Sequence, residues 1–480
     1  MDYRFTIFAT LIVLFQPLFS RSIKVNDVAA FNKEVKTAMA GDSIVLSNGV
    51  WKDAQLTFKG KGEAGKYLSL IAETPGMVTL EGNSSLQLSG EWLRVSGLVF
   101  INGQTPKKTV IDFRTSSKEY AYNSVLSNCV IDKYNQPTKT TADHWVELWG
   151  KNNRVEYCYF GGKTNEGTTL VIWPNDSNCI NNNHLVQYNY FGERPPLGVN
   201  GGETIRIGTS DVCTNVSASV VSNNYFERCN GEGEIISNKS CDNRYLNNTF
   251  FECEGSLTLR HGNRATVSGN WFIGNNKQHT GGVRIINEGH RIYNNFFYQL
   301  RGKEFRSALS IMNGIPNSPA SGYAAVKDVV IANNTFVDCT LPWNFSSGAD
   351  DRNRSVKPER TLLINNLVYC PSENELFVSL DKMDGIQMEN NLLIGKKGFC
   401  TELSSIQGAV QIAKFRGMEI ALTSSNGKDI SFVSSDILQN KRVKIVVGAF
   451  QQTQESVNFE FASEKKCGPS WYKPKESSKL

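Results

Sequence analysis

A short pattern of apolar, Asn and aromatic residues returns along this chain. It reads VSGLVF from Val95, LSNCVI from Leu126, VEYCYF from Val155, VQYNYF from Val186 and VSNNYF from Val221. It continues as YLNNTF from Tyr245, VSGNWF from Val267, IYNNFF from Ile292, IANNTF from Ile331, LINNLV from Leu363 and MENNLL from Met388. Most intervals are 22 to 35 residues, and the one before Ile331 is 39, which is the range of internal structural repeats. A unit this short cannot bury its own apolar face, so the units must stack. The alternating apolar positions suit strands. The central Asn residues suit a sharp bend in which each amide bonds to its neighbour in the next repeat. Together they predict an all-β chain wound as a right-handed parallel β-helix, with side chains piled into columns. An antiparallel sandwich would instead show hairpin turns about every 8 to 12 residues and no long repeat.

Such a stack needs protected ends. Val28, Phe31, Val35, Ala38 and Met39 fall on one helical face from about Asp27 to Ala40, and Gly41-Asp42 stops the run before a strand at Ser43 to Leu46. This segment is expected to be a helix capping the first coil. After about Cys400 the Asn motif disappears, but Arg442 to Val447 and Val457 to Phe461 still alternate like strands. The organisation expected is a signal peptide over 1–21, a β-helix catalytic domain over 22–400, and a C-terminal β extension over 401–480 that completes or caps the helix.

The apolar run Phe5 to Phe19 follows Arg4 and ends near Ser20 and Ser22. It reads as an export signal and is shorter than the roughly 20 residues a spanning helix needs. The expected location is therefore secreted or periplasmic, with no membrane span. The eleven cysteines are an odd number, so at least one stays unpaired. Cys129 and Cys158 hold the same place in two repeats, and Cys229, Cys253 and Cys339 each follow a repeat-ending Phe by three residues. Thiols stacked in a core column are preferred to structural disulfides. The net charge of +5 is spread along the chain. It points weakly to an acidic partner, and without a zinc-finger, helix-turn-helix or basic-arm pattern that partner is not nucleic acid. An anionic polysaccharide fits an exported protein better.

Glu232-Gly233-Glu234 precedes Lys239, and Arg260-His261 follows about one repeat later. Residues two apart on a strand share a face, so the two glutamates can offer oxygens to one hard cation. Asn200 lies nine residues beyond Phe191, Glu234 eight beyond Phe226, Arg260 ten beyond Phe250 and Arg284 twelve beyond Phe272. These offsets predict a column on one outer face, with Lys239 on the loop that follows Glu234. An amide with two carboxylates is an oxygen set that suits Ca²⁺. A purely structural calcium site would leave Lys239 and Arg260 without a role.

The stretches NGGETIRIG from Asn200, EGEIISNKS from Glu232, LRHGN from Leu259 and GGVRIINEGH from Gly281 resemble polysaccharide lyase family 6, the parallel β-helix enzymes that include alginate lyases and chondroitinase B. The resemblance extends from about residue 22 to 400. It implies calcium ligands Asn200, Glu232 and Glu234, a Brønsted base Lys239, a Brønsted acid Arg260, and substrate-binding His261. The last stretch is most similar to the alginate lyases, which implies uronate carboxylates held by Arg284 and His290. His290 could equally be a structural histidine. Arg206, His144, Trp145 and Arg306 are further binding candidates. The expected activity is calcium-dependent β-elimination in alginate at 4-linked uronates. Lys239 must be uncharged to take the C5 proton, and cations beside it favour that form. The alternatives are a dermatan or chondroitin sulfate lyase, a non-catalytic glycan-binding β-helix, and a glycoside hydrolase working through two carboxylates. The oligomeric state is left open.

Overall fold

The computed structural model describes residues 20–349, 353–403, 406–451 and 460–474. Most of the signal-peptide segment lies outside them. The chain winds as a right-handed parallel β-helix whose strands form three long sheets. The first runs from Ser22–Val25 to Ile386–Glu389, the second from Gln55–Lys61 to Phe377–Ser379, and the third from Gly49–Lys52 to Leu392–Gly395. Each strand pairs with its counterpart one coil earlier and one coil later, so like residues fall into columns. Phe226, for example, lies opposite Phe191 and Phe250. The resulting aromatic stack from Phe160 to Phe336 has ring centroids 4.4 to 5.5 Å apart, close to the strand spacing itself.

The repeated Asn residues build the bend between the first and third sheets. Asn189, Asn224, Asn248, Asn270, Asn295, Asn334, Asn366 and Asn391 form one ladder. Each Nδ2 donates to the next Oδ1 at 2.9 to 3.0 Å. The same oxygen accepts the preceding Asn's backbone N–H. The residue before each ladder Asn is left-handed, as at Asn223 with φ 55° and Asn247 with φ 55°. Asn tolerates that region better than most residues, which explains why the motif carries Asn in pairs.

A second ladder caps the bend between the second and first sheets with mixed acceptors. Backbone N–H groups of Ser124, Asn153, His184, Ser219 and Ala265 donate to side chains of Asn153, His184, Ser219, Asn243 and His290, respectively. All eleven cysteines are free thiols, and Cys129, Cys158, Cys229, Cys253 and Cys339 are buried in the core as expected.

Two expectations about the ends need correction. The N-terminal helix covers only Val28–Glu34, with Asp27 Oδ1 accepting from Ala30 N. Beyond it, Asp42 accepts from Met39 N and pairs with Arg21, which holds the chain in turns. Phe31 is still buried and Val35 and Ala38 still pack on the core, but Met39 is exposed. The C-terminal extension contributes Leu403 to the core at the last coil, but most of it does not continue the stack as further coils. Its hairpin, Val410–Phe415 with Met418–Thr423, and the irregular segment after it run back along the outer face of the third sheet. Phe450 and Phe461 pack on Trp271, and Tyr472 Oη donates to Asp132. Arg442 to Val447 is not a strand, because buried Arg442 anchors it by donating to Ser435 O, Gly448 O and Asn294 Oδ1. Most of Val457 to Phe461 lies outside the described residues.

Candidate active site

The outer face of the second sheet carries the charged residues. In register across its coils lie Asp112, Glu147, Val171, Arg206, Ser237, Thr258, Arg284, Ser310 and Asn344. The single column expected from counting is therefore only approximate. Glu234 sits opposite Ser256, and Lys239 is the last residue of its strand Glu234–Lys239, opposite Gly208 and His261, rather than on a loop. Two irregularities bring the groups together. The consecutive core residues Ile235 and Ile236 leave Glu234 facing out, and Arg260 lies at a register break between Leu259 and His261. Such bulges re-aim side chains next to functional sites.

Glu234 is the meeting point. Its Oε1 lies 3.9 Å from Arg260 Nε and 3.7 Å from Arg284 Nη1, and its Oε2 accepts from Ser237 Oγ. Asn200, Glu232, Glu234, Arg284 and Arg306 line one cavity of about 460 Å³. Glu232 Oε2 accepts from the backbone N–H of Gly201 at 2.8 Å and Gly202 at 2.9 Å. Gly201 is at φ 95°, and a Cβ on Gly202 would stand 2.4 Å from Gly231 O, so both positions need glycine. Burial, then Glu203, pushes the Glu232 carboxyl up to about 7, with Glu234 adding to the repulsion.

Glu203 was missed from sequence, although it belongs to the quoted NGGE stretch. It is buried, accepts from Thr168 Oγ1, and lies 4.0 Å from Lys239 Nζ. Arg194 was also missed. Buried at the base of the Asn200 loop, it donates to the carbonyls of Asn165, Gly167, Gly201 and Glu203 and to Thr169 Oγ1. Tyr323, the third omission, comes from the long insertion behind the 39-residue interval. Its Oη accepts from Arg284 Nη2 at 2.9 Å, and Arg260 lies over its ring at 4.2 Å. Arg260 also donates to Gly322 O and Ser321 O. Burial lowers the Arg260 guanidinium below its usual value, against the opposing pull of Tyr323 and Glu234.

His261 is at the centre, next to Ser210 Oγ at 3.2 Å, and burial with Arg260 and Lys239 nearby takes it down to about 3. It is therefore a neutral imidazole at working pH. His290 is not in the groove. It is fully buried in the mixed ladder, where Nδ1 accepts from Ala265 N and Nε2 donates to Ile286 O, so the structural alternative replaces its substrate-binding role. Trp145 is likewise buried in the core, donating to Tyr134 O. Arg206 faces out over Trp173 at 5.2 Å. His144 lies edge-on to Trp173, and Arg306 lies over Phe305.

The donor set suits a hard cation. Lys239 is the ion-pair partner of Glu203, and Arg260 and Arg284 face Glu234. Among the described residues no three His, Cys, Asp or Glu side chains form a ready metal cage. A bound ion would therefore draw on Asn200 and on water or substrate oxygens as well.

Fold and site together define a right-handed parallel β-helix protein with a charged groove across one sheet. The chondroitinase B family profile matches residues 25–433, and the chain belongs to that family, polysaccharide lyase family 6. It is 37% identical to the alginate lyase AlyGC, with a TM-score of 0.83 over 96% of this chain and 60% of that one. The chain thus spans less than two thirds of AlyGC's length. A mannuronic acid-specific family 6 lyase from human gut microbiota is 32% identical, with a TM-score of 0.73 over 81% of this chain and 88% of that one. The family 6 lyase Pedsa3628 from Pseudopedobacter saltans is 26% identical, with a TM-score of 0.69 over 94% of this chain and 99% of that one. No curated protein matches the chain. No helix among the described residues is long and apolar enough to cross a membrane.

Proposed function

We propose that this protein is an exported, calcium-dependent alginate lyase that cleaves by β-elimination. The observation that carries the reading is the convergence of Lys239, Arg260 and Arg284 on a face that also holds Glu203, Glu232 and Glu234. A glycoside hydrolase would have no use for that lysine and those arginines. The alginate substrate is supported by the alginate lyase AlyGC at 37% identity and the mannuronic acid-specific lyase at 32%, and export by the apolar run Phe5 to Phe19.

Asn200, Glu232 and Glu234 would hold the calcium ion, whose charge would neutralise the carboxylate beside the carbon that loses its proton. Arg284 pairs with the same carboxylate and fixes the sugar. Lys239 Nζ, which must first give up its own proton and with it the ion pair to Glu203, takes the C5 proton. The C5–H electron pair becomes the C4–C5 double bond, and the C4–O4 pair leaves with O4. Arg260 holds O4 and supplies its proton, and the lowering of its guanidinium by burial favours that transfer. Neutral His261 adds no further positive charge beside Lys239. The Tyr323 ring keeps Arg260 in place.

Incubating the full chain with alginate, dermatan sulfate and chondroitin sulfate, while following the absorbance of unsaturated uronate, tests this reading. Alginate alone should give the signal. Activity confined to a sulfated polymer would move the assignment to the reading favoured by the chondroitinase B profile.

A further inference from the structure

The corner between the first and third sheets lies opposite the groove sheet, and two of its residues break the rule of the repeat. The residue before the ladder position is left-handed in eleven coils, from Gly97 to Asn390, and in nine of them it is Asn or Gly. The other two are Tyr157 at φ 53° and Tyr188 at φ 54°. Tyrosine gains nothing from that backbone, which Asn and Gly adopt at lower cost. Nor do the two rings fill the core. They stack on each other outside it, 5.1 Å apart and 5° from parallel, and Tyr157 is 38% exposed. In later coils the tail covers the equivalent Asn294, Asn333 and Asn365, which donate to Ser435 O, Val446 O and Lys428 O. At the tyrosines the tail is held by Gly468 N, which donates to Tyr188 O, and it leaves a cavity of about 690 Å³. Asn128 and Tyr157 line that cavity from the corner, and Glu464, Lys465, Lys466 and Lys473 line it from the tail.

We infer that this cavity is a second binding site for an anionic polysaccharide, remote from the groove, which holds a uronate residue against the Tyr157 ring. Coil order sets the geometry. Tyr188 covers one face of that ring, so the other face looks along the corner towards Asn128, one coil earlier. A pyranose ring there continues the stack, its C–H face against the aromatic face. Lys465 and Lys473 are exposed and make no ion pair among the described residues, whereas Lys466 is paired with Glu460 at 2.9 Å. Of the acids around the tyrosines, Asp132 accepts from Tyr472 Oη and Glu156 from Gln187 Nε2. The two unpaired lysines are thus left for a carboxylate. Glu464 Oε2 is buried without a hydrogen-bond partner among the described residues. A buried acceptor left open calls for a donor, and a sugar hydroxyl provides one. The same carboxyl opposes a densely charged anion, so a sugar with one carboxylate fits better than a sulfated one. The choice of a uronate rests on the lyase reading, but the site's own chemistry does not. A second grip on the polymer raises its effective concentration at the groove between cleavages.

The test is calorimetric titration of a saturated oligouronate into the Lys239→Ala protein, which binds without turning the ligand over. The groove and the corner should appear together as two sites per chain. Adding Tyr157→Asn and Tyr188→Asn, which restores the residue that most coils carry at this left-handed position, should leave one. Lys465→Glu with Lys473→Glu, at exposed residues, should weaken that same site by roughly tenfold or more and leave the groove site as it was. An unchanged number of sites in the folded tyrosine variant, or no binding at all, would overturn the inference. If the tyrosine variant does not fold, unchanged affinity at both sites in the lysine variant overturns it equally. If Lys239→Ala alone shows one site and the tyrosine substitutions remove it, the groove takes no uronate, and the lyase reading fails while the corner site stands.

Discussion

The bend that carries the Asn ladder and the outer face of the second sheet are built by the same rule, one residue per coil in register, yet they end in opposite states. In the ladder every amide both gives and receives, so the buried polar groups satisfy one another. On the groove face the column mixes Arg206, Ser237, Thr258 and Arg284, and the Nε atoms of Arg206, Arg284 and Arg306 are buried without partners among the described residues. Closed networks hold a fold together. Open ones are kept open by the rest of the structure, and they are where a ligand can be recognised.

Arg194 joins the two regimes, because it is a closed network that supports the open one. Arg194→Ala removes five hydrogen bonds under the Asn200 and Glu203 loop. A displacement of about 1 Å there is expected to lower kcat by roughly 10²-fold, read from initial rates, together with a lower melting temperature. Glu232→Gln should remove the charge that favours a cation while keeping the acceptor for Gly201 N and Gly202 N. Calcium titration should then show weaker binding with little change in melting temperature. A chelator should likewise silence the parent protein, and added calcium should restore it.

In the ladder the effects reverse. Asn270→Ala leaves the backbone N–H and Nδ2 of Asn248 without their acceptor, at about 1–3 kcal/mol for each unsatisfied buried group. Chemical unfolding should show the loss, and turnover per folded molecule should hold. Acid acts on the second ladder. Burial lowers His184 to about 3 and His290 to about 4, so the fold favours their neutral forms. Their stabilisation is complete above the ordinary histidine value and is lost as pH falls from there towards the folded values, by up to about 1.4 kcal/mol per pH unit for each histidine. His290→Asn, which reproduces the residue found at Asn153 and Asn243, should flatten the acid limb of the stability profile. Tyr323→Phe should have the smallest effect, raising KM a few-fold through Arg284, because the ring that Arg260 rests on remains.

The repeat made the architecture legible, because apolar, Asn and aromatic residues recur at one place in each coil and nowhere else in a regular way. It also located the neighbourhood of Glu232, Lys239 and Arg260. Counting along the repeat did not resolve the bulges at Ile235 and Arg260, since a one-residue slip leaves the apolar count almost unchanged while turning a side chain from core to groove. His290 did carry a signal. It stands two residues before its motif, as His184 and Asn153 do before theirs, and that shared place marks a bend position. The 39-residue interval likewise marked an insertion, but only the fold shows that it brings Tyr323 back over Arg260. The tail after Cys400 lacks the Asn repeat, and the alternation at Arg442 to Val447 misled, because the partner of the tail is the outer surface of the third sheet rather than another coil.

The most direct test is the rate at which unsaturated uronate appears from alginate with the full chain and with Lys239→Ala, alongside the melting temperature of each. The groove account predicts that the parent generates the product, and that the variant loses about 10²-fold or more of that rate while melting at the same temperature. Equal rates in the two proteins, or saturated products from the parent, would contradict it.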